Sequence, residues 1–366
     1  MRHSKIIGVA LLAIVPAAVP AHATAKYLIE MGWDEPNASF MVAHHAQMET
    51  APFEGVVFHL TYHLKNGVER NLAWDAWGRN VYRDSMFMSA AESIGAIPFK
   101  RFKTNFLRMN VTPGDVDWFD DYSDILTNVE MIGRLAKAAG AKGVFLDTEQ
   151  YQTHLFDYRA GRQADKHSYA EYVAKARERG GEVMRAFERG YPGLTVFLSN
   201  GWTLPYIRML GDKIPIEKQP YNLLIPFLNG MLAAASDSAR IVDGCEGSFF
   251  LRKVSDVDDY RRHYLVGGHA YCEDSLKFGR IVSLGLSMWL DHDSTHHPWD
   301  EKVFTNNHRD PETTRAVLRR MIEDSDEYTW LYSEQPRWWS SEGGRRKLPP
   351  AYAKAVLDAR SGLLPP

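Results

Sequence analysis

Eight short apolar runs, separated mostly by longer stretches with helical spacing, organise this chain from residue 27 to residue 332. The runs at 27–33, 55–60, 105–111, 144–146, 194–199, 239–242, 281–290 and 327–332 read as strands. Helical spacing occupies 38–50, 123–139, 169–189, 223–235, 254–266 and 311–324, and a further helix is expected at 351–359. Asn37 suits a helix N-cap, Gly140 a helix stop and Pro311 a first helical turn. The second connection is read only as Trp-rich, through Trp74 and Trp77. Alternating strands and helices imply a parallel sheet, and eight units suggest an α/β fold closed as a (β/α)8 TIM barrel. An open doubly wound sheet is the alternative. No glycine-rich phosphate loop follows the first strand, which weighs against it.

Residues 1–25 have a different character. Arg2 and Lys5 precede an apolar run over 6–19, and Ala21, Ala23 and Ala25 offer small residues for cleavage. This is the pattern of a secretory signal peptide, so export to the periplasm or medium is expected, with no stable membrane insertion after cleavage. The run is short and interrupted by proline, whereas a span needs roughly 20 apolar residues. Residues 26–366 then form a single domain, longer than the roughly 250 residues of a minimal barrel, with loop insertions.

A net charge of −3 gives no basic field for nucleic acid. Export permits a disulfide between Cys245 and Cys272, but their positions do not require one. Seventeen Tyr, seventeen Phe and ten Trp leave rings both for a core and for stacking on sugar faces. Composition leaves the oligomeric state open.

The chemistry is written at the strand ends. The fourth apolar run ends in Asp147, Thr148, Glu149, Gln150 and Tyr151, and residues i and i+2 of a strand share a face. A barrel gathers its strand ends around one mouth. There the other strands would deliver Glu30, Trp33 and Asp34, then His59, Asn110, Asn200 and Trp202. Asp243, Glu246, Trp289, Asp291, His292, Trp330 and Glu334 complete the set. Hydrolysis of a glycosidic bond needs one carboxyl to protonate the leaving oxygen and another to attack or to activate water. Glu149 is expected as the acid and Glu246 as its partner, with Asp147 and Asp243 in support and Glu334 in reserve. Gly244 is expected to bend the chain so that Asp243 and Glu246 both reach the mouth. The remaining strand-end residues, with Tyr151, would bind substrate. Any of the aromatic ones can equally be core.

Asp291, His292 and Asp293, with His296 and His297, suggest a metal-dependent hydrolase as an alternative. Their spacing matches no specific ligand pattern, and no metal or other cofactor is expected. A non-catalytic carbohydrate-binding barrel is the other alternative. No Arg cluster is apparent at the strand ends, which argues against a lyase acting on uronic acids.

Several segments carry a family resemblance. They are 27–36, 52–58, 117–121, 143–151, 243–246 and 332–339, including Asp117-Trp118-Phe119-Asp120-Asp121 and Ser333-Glu334-Gln335-Pro336-Arg337-Trp338-Trp339. Together the chain resembles a group of bacterial exported proteins similar to TIM-barrel glycoside hydrolases. The resemblance implies a barrel, a carbohydrate substrate and acids at Asp147, Glu149, Asp243, Glu246 and Glu334.

Overall fold

The computed structural model describes residues 25–112, 114–292, 299–339 and 346–363. Its parallel strands are β1 (Tyr27–Gly32), β2 (Gly55–Phe58), β3 (Phe106–Asn110), β4 (Gly143–Asp147), β5 (Thr195–Leu198) and β6 (Arg240–Asp243). β7 comes in two pieces, Val282–Leu284 and Ser287–Trp289, and β8 is Tyr328–Ser333. Each strand pairs with its sequence neighbour, and β1 pairs with β8.

The ring closes through the interruption in β7. Its first piece pairs with β6 (Ile241 opposite Val282) and its second with β8 (Ser287 opposite Trp330). Backbone bonds from Gly285 N to Asp243 O (2.8 Å) and from Trp330 N to Leu286 O (3.0 Å) carry the ladder across the break. A Cβ at position 285 would lie 2.7 Å from Val242 Cγ1, so only glycine fits where the strand changes partners. The sheet is therefore a closed eight-stranded barrel, as the alternation of the sequence implies.

Strand side chains alternate between two cores, as a period of two requires. Ile29, Val57, Phe106, Phe145, Phe197, Val242, Tyr328 and Trp330 fill the barrel interior. Leu28, Val56, Leu107, Val144, Val196, Ile241 and Leu331 face the surrounding helices. Aromatic rings meet edge to face inside, with Phe106 and Phe197 centroids 5.3 Å apart.

The helices start and stop at local sequence signals, those expected at Asn37, Gly140 and Pro311 among them. Asn37 caps Ala38–Met48, Ser168 and Glu171 form a capping box for Tyr169–Gly190, and Asp310 caps Pro311–Asp324. Gly140, with φ of +65°, follows Ser123–Ala138. Unforeseen elements lie in the loops. A hairpin (Thr61–His63 with Glu69–Asn71) and the helix Met88–Gly95 fill the second connection, and the helix Thr203–Asp212 follows β5. Among the described residues no helix is long and apolar enough to cross a membrane. Cys245 and Cys272 are both free, Cys245 buried.

Candidate active site

At the C-terminal mouth of the barrel, the inward face of β3 carries Arg108 and that of β4 carries Asp147. Asp147 is buried and its two oxygens accept five hydrogen bonds. Arg108 Nη2 (2.8 Å), Asn110 Nδ2 (3.1 Å) and Tyr151 OH (2.7 Å) donate to Oδ2. Ser199 Oγ (3.0 Å) and Glu149 N (3.1 Å) donate to Oδ1. Five donors around one carboxyl hold it as an anion and leave no lone pair for proton transfer. Asp147 is a fixed negative charge.

Glu149 stands next to that charge. Its backbone is pinned by Thr112 Oγ1, which donates to Glu149 O at 2.8 Å. Burial, and then the Asp147 charge, raise its carboxyl to about 7; Tyr151 and Arg108 pull weakly the other way.

Glu246 arrives from β6 by a different device. Cys245 takes a left-handed conformation (φ 45°) that few non-glycine residues adopt. Trp330 Nε1 donates to Gly244 O at 2.6 Å and Glu246 N to Ser199 O at 3.0 Å, so the turn is tied down on both sides. Asn200 Nδ2 then donates to Glu246 Oε2. Burial first, then the charges of Glu149 and Asp147, push the Glu246 carboxyl well above the ordinary carboxylate range. The Glu149 charge raises Glu246, and the Asp147 charge raises both, so the two acids titrate together and Glu149 keeps its proton to near neutral pH.

Both carboxyls line one open cavity of about 960 Å³. Its rim is aromatic. Trp33 is 58% exposed and donates from Nε1 to Tyr332 OH at 2.8 Å. The Trp74 ring lies 4.9 Å from that of Tyr151 and 5.0 Å from the Arg108 guanidinium carbon. Trp289 and Phe249 form part of the opposite side, with centroids 5.9 Å apart. On the β1–β2 side, Glu35 accepts from Arg108 Nη1 at 2.8 Å and lies 2.8 Å from His59 Nδ1.

Of the strand-end residues, Asp147, Glu149, Glu246, Trp33, His59, Tyr151, Asn200 and Trp289 line this cavity. Asn110 stands one layer behind, through its bond to Asp147. The others lie elsewhere. Asp243 points away from the cavity and is buried against the β5 loop, accepting from Gly201 N (3.1 Å), Thr203 N (3.0 Å) and Thr203 Oγ1 (2.8 Å). The turn at Gly244 and Cys245 thus delivers Glu246 alone. Glu30 shares the outward face of β1 with Leu28 and is sealed from solvent. Asp34 accepts from Trp338 N (2.7 Å) and Trp339 N (2.8 Å), which anchors the C-terminal segment.

Asp291 accepts from Trp289 Nε1 (3.0 Å), Glu334 N (2.9 Å) and Gln335 N (2.9 Å), a structural tie between the β7 and β8 loops. Glu334 belongs to that tie and not to the cavity wall. His292 packs against Trp289 and His308, outside the cavity (centroids 5.1 and 4.4 Å). Trp202 is fully buried, with Nε1 on Asn229 Oδ1 at 3.0 Å, and Trp330 fills the barrel interior. Both are core rings. Asp293, His296 and His297 lie outside the described residues, among which no group of three or more His, Cys, Asp or Glu is placed to hold a metal ion.

Sequence reasoning missed Trp74, Arg108 and Tyr221 on the cavity wall. Arg108 was within reach of it. Two residues before Asn110 on the same strand, it had to share the inward face.

The fold and site together define a (β/α)8 barrel whose mouth carries two interacting carboxyls in an aromatic-rimmed cavity. By sequence, the chain matches no protein-family model and no curated protein. Among solved structures it is similar to a GH5-4 broad specificity endoglucanase from an uncultured bacterium, at 12% identity and TM-score 0.48, over 90% of this chain and 86% of that one. It is also similar to a GH113 β-1,4-mannanase (8% identity, TM-score 0.44, covering 92% of this chain and 99% of that one). A third is GH5_18 from Streptomyces cattleya in complex with GlcNAc (11%, TM-score 0.45, 94% and 83%).

Proposed function

We propose that this protein is an exported, single-domain glycoside hydrolase that cleaves glycosidic bonds in a poly- or oligosaccharide. One observation carries the reading: Glu149 and Glu246, 97 positions apart in the chain, line one cavity, and both have their proton affinity raised beside the fixed anion Asp147. Two carboxyls sharing a proton supply both halves of the reaction. Glu149 delivers its proton to the leaving oxygen. Glu246, oriented by Asn200, is the carboxylate that attacks or activates water. Positive charge developing on the sugar carbon favours the anion on Glu246, so substrate sends the shared proton to Glu149. Trp33, Trp74 and Trp289 offer faces on which sugar rings stack.

The test is a hydrolysis screen over poly- and oligosaccharides, followed by leaving-group comparisons on the substrate found. Glu149→Gln should be most damaging for poor leaving groups and mild for an activated aryl glycoside. Glu246→Gln should be equally damaging for both. If Glu149→Gln hydrolyses both kinds as wild type does, its role as the acid is refuted.

A further inference from the structure

The β1–β2 side of the cavity holds a built arm with no part in moving the proton. Glu35 lines the cavity and is held as an anion: burial opposes its charge, but the Arg108 guanidinium beside it and the hydrogen bond to His59 favour it. Its Oε2 accepts from Arg108 Nη1 at 2.8 Å, and its Oε1 lies 2.8 Å from His59 Nδ1. Arg108 reaches on through Nη2 to Asp147 at 2.8 Å. His59 is fixed at its backbone too, with its N on Pro36 O at 3.1 Å. Its ring lines the cavity, and among the described residues its Nε2 has no protein partner.

An anion beside Nδ1 demands that this nitrogen carry the hydrogen. In the neutral ring Nε2 is then a lone pair at the cavity surface, and a lone pair there asks for a donor. We propose that His59 is a specificity-determining residue that accepts a hydrogen bond from a hydroxyl of the bound sugar. Glu35 is the positioning residue that fixes its tautomer, and Arg108 anchors Glu35 to the carboxylate cluster. The inference deepens the hydrolase reading and rests on it. It adds that a sugar unit docks on this side with a free hydroxyl, so a unit substituted there is refused.

Two measurements test it. The first needs no activity. ¹⁵N NMR of the intact protein should show neutral His59 with its hydrogen on Nδ1, and Glu35→Gln should move it towards Nε2. The second compares mono-deoxy versions of the substrate. One position should cost wild type about tenfold in kcat/KM, the worth of one hydrogen bond, and cost His59→Ala nothing further. His59→Gln, which keeps an acceptor, should retain part of the discrimination. Hydrogen on Nε2 in wild type overturns the proposal, as does a deoxy penalty unchanged in His59→Ala. If wild type hydrolyses no carbohydrate, the hydrolase reading fails and the hydroxyl assignment with it, while the tautomer still decides what Glu35 does.

Discussion

Arg108 bridges Glu35 and Asp147, its two terminal nitrogens each 2.8 Å from one carboxylate. A buried cation between two buried anions balances charges that neither acid could hold alone in so dry a place. Replacing it leaves two desolvated carboxylates without their counter-charge. Arg108→Met is expected to lose about 3–5 kcal/mol of stability, read from urea unfolding. Arg108→Lys should recover only part, because one ammonium cannot reproduce a two-pronged contact. A loss below about 1 kcal/mol for the Met variant would contradict the bridge.

The fixed charge of Asp147 helps keep the shared proton on Glu149 and Glu246. In Asp147→Asn that pressure disappears while Arg108 still favours the carboxylate forms. Both changes act in one direction. The alkaline limb of the activity profile, expected near pH 7 from Glu149, should move down by about one unit. A limb that stays in place would show that Asp147 does not set it.

Stability should respond to pH with the opposite sign from that of a protein held by salt-bridged acids. Glu149 holds its proton up to about pH 7 when folded, against a usual value of 4.5. Between those limits the folded state binds more protons than the unfolded one, so stability falls as pH rises. Glu246 shifts the same way. Urea midpoints should therefore decline from about pH 5 to about pH 7, and Glu149→Gln should flatten the slope.

Trp33 and Trp330 separate platform from core. Trp330→Ala removes a ring from the barrel interior and should cost about 3–5 kcal/mol. Trp33→Ala, at 58% exposure, should change stability by less than about 0.5 kcal/mol yet weaken saccharide binding. Calorimetric titration and unfolding on the two variants check both halves.

Much of the barrel was legible in the chain because its strands are buried on both faces and read as apolar runs. Gly140 and Pro311 marked helix ends plainly. Asp147 and Glu149 stood out for the same reason, since they directly follow such a run. What period and spacing could not reveal was the direction of residues past the strand ends. Asp243 was expected at the mouth beside Glu246, but the left-handed turn at Cys245 sends Glu246 inward and leaves Asp243 to cap the Thr203 loop. Trp202 and Trp330 had the same ambiguity, because an indole suits a core and a cavity wall alike. Trp74 comes from the second connection, whose course depends on tertiary packing and not on local pattern.

The central claim is that Glu149 and Glu246 act together on a bound sugar. Its most direct test is to measure turnover and saccharide affinity in parallel for wild type, Glu149→Gln and Glu246→Gln. Each substitution should reduce turnover on an unactivated substrate by about 100- to 10,000-fold while affinity stays within a few-fold. Turnover within about tenfold of wild type in either variant, or saccharide binding with no hydrolysis by wild type, would contradict it.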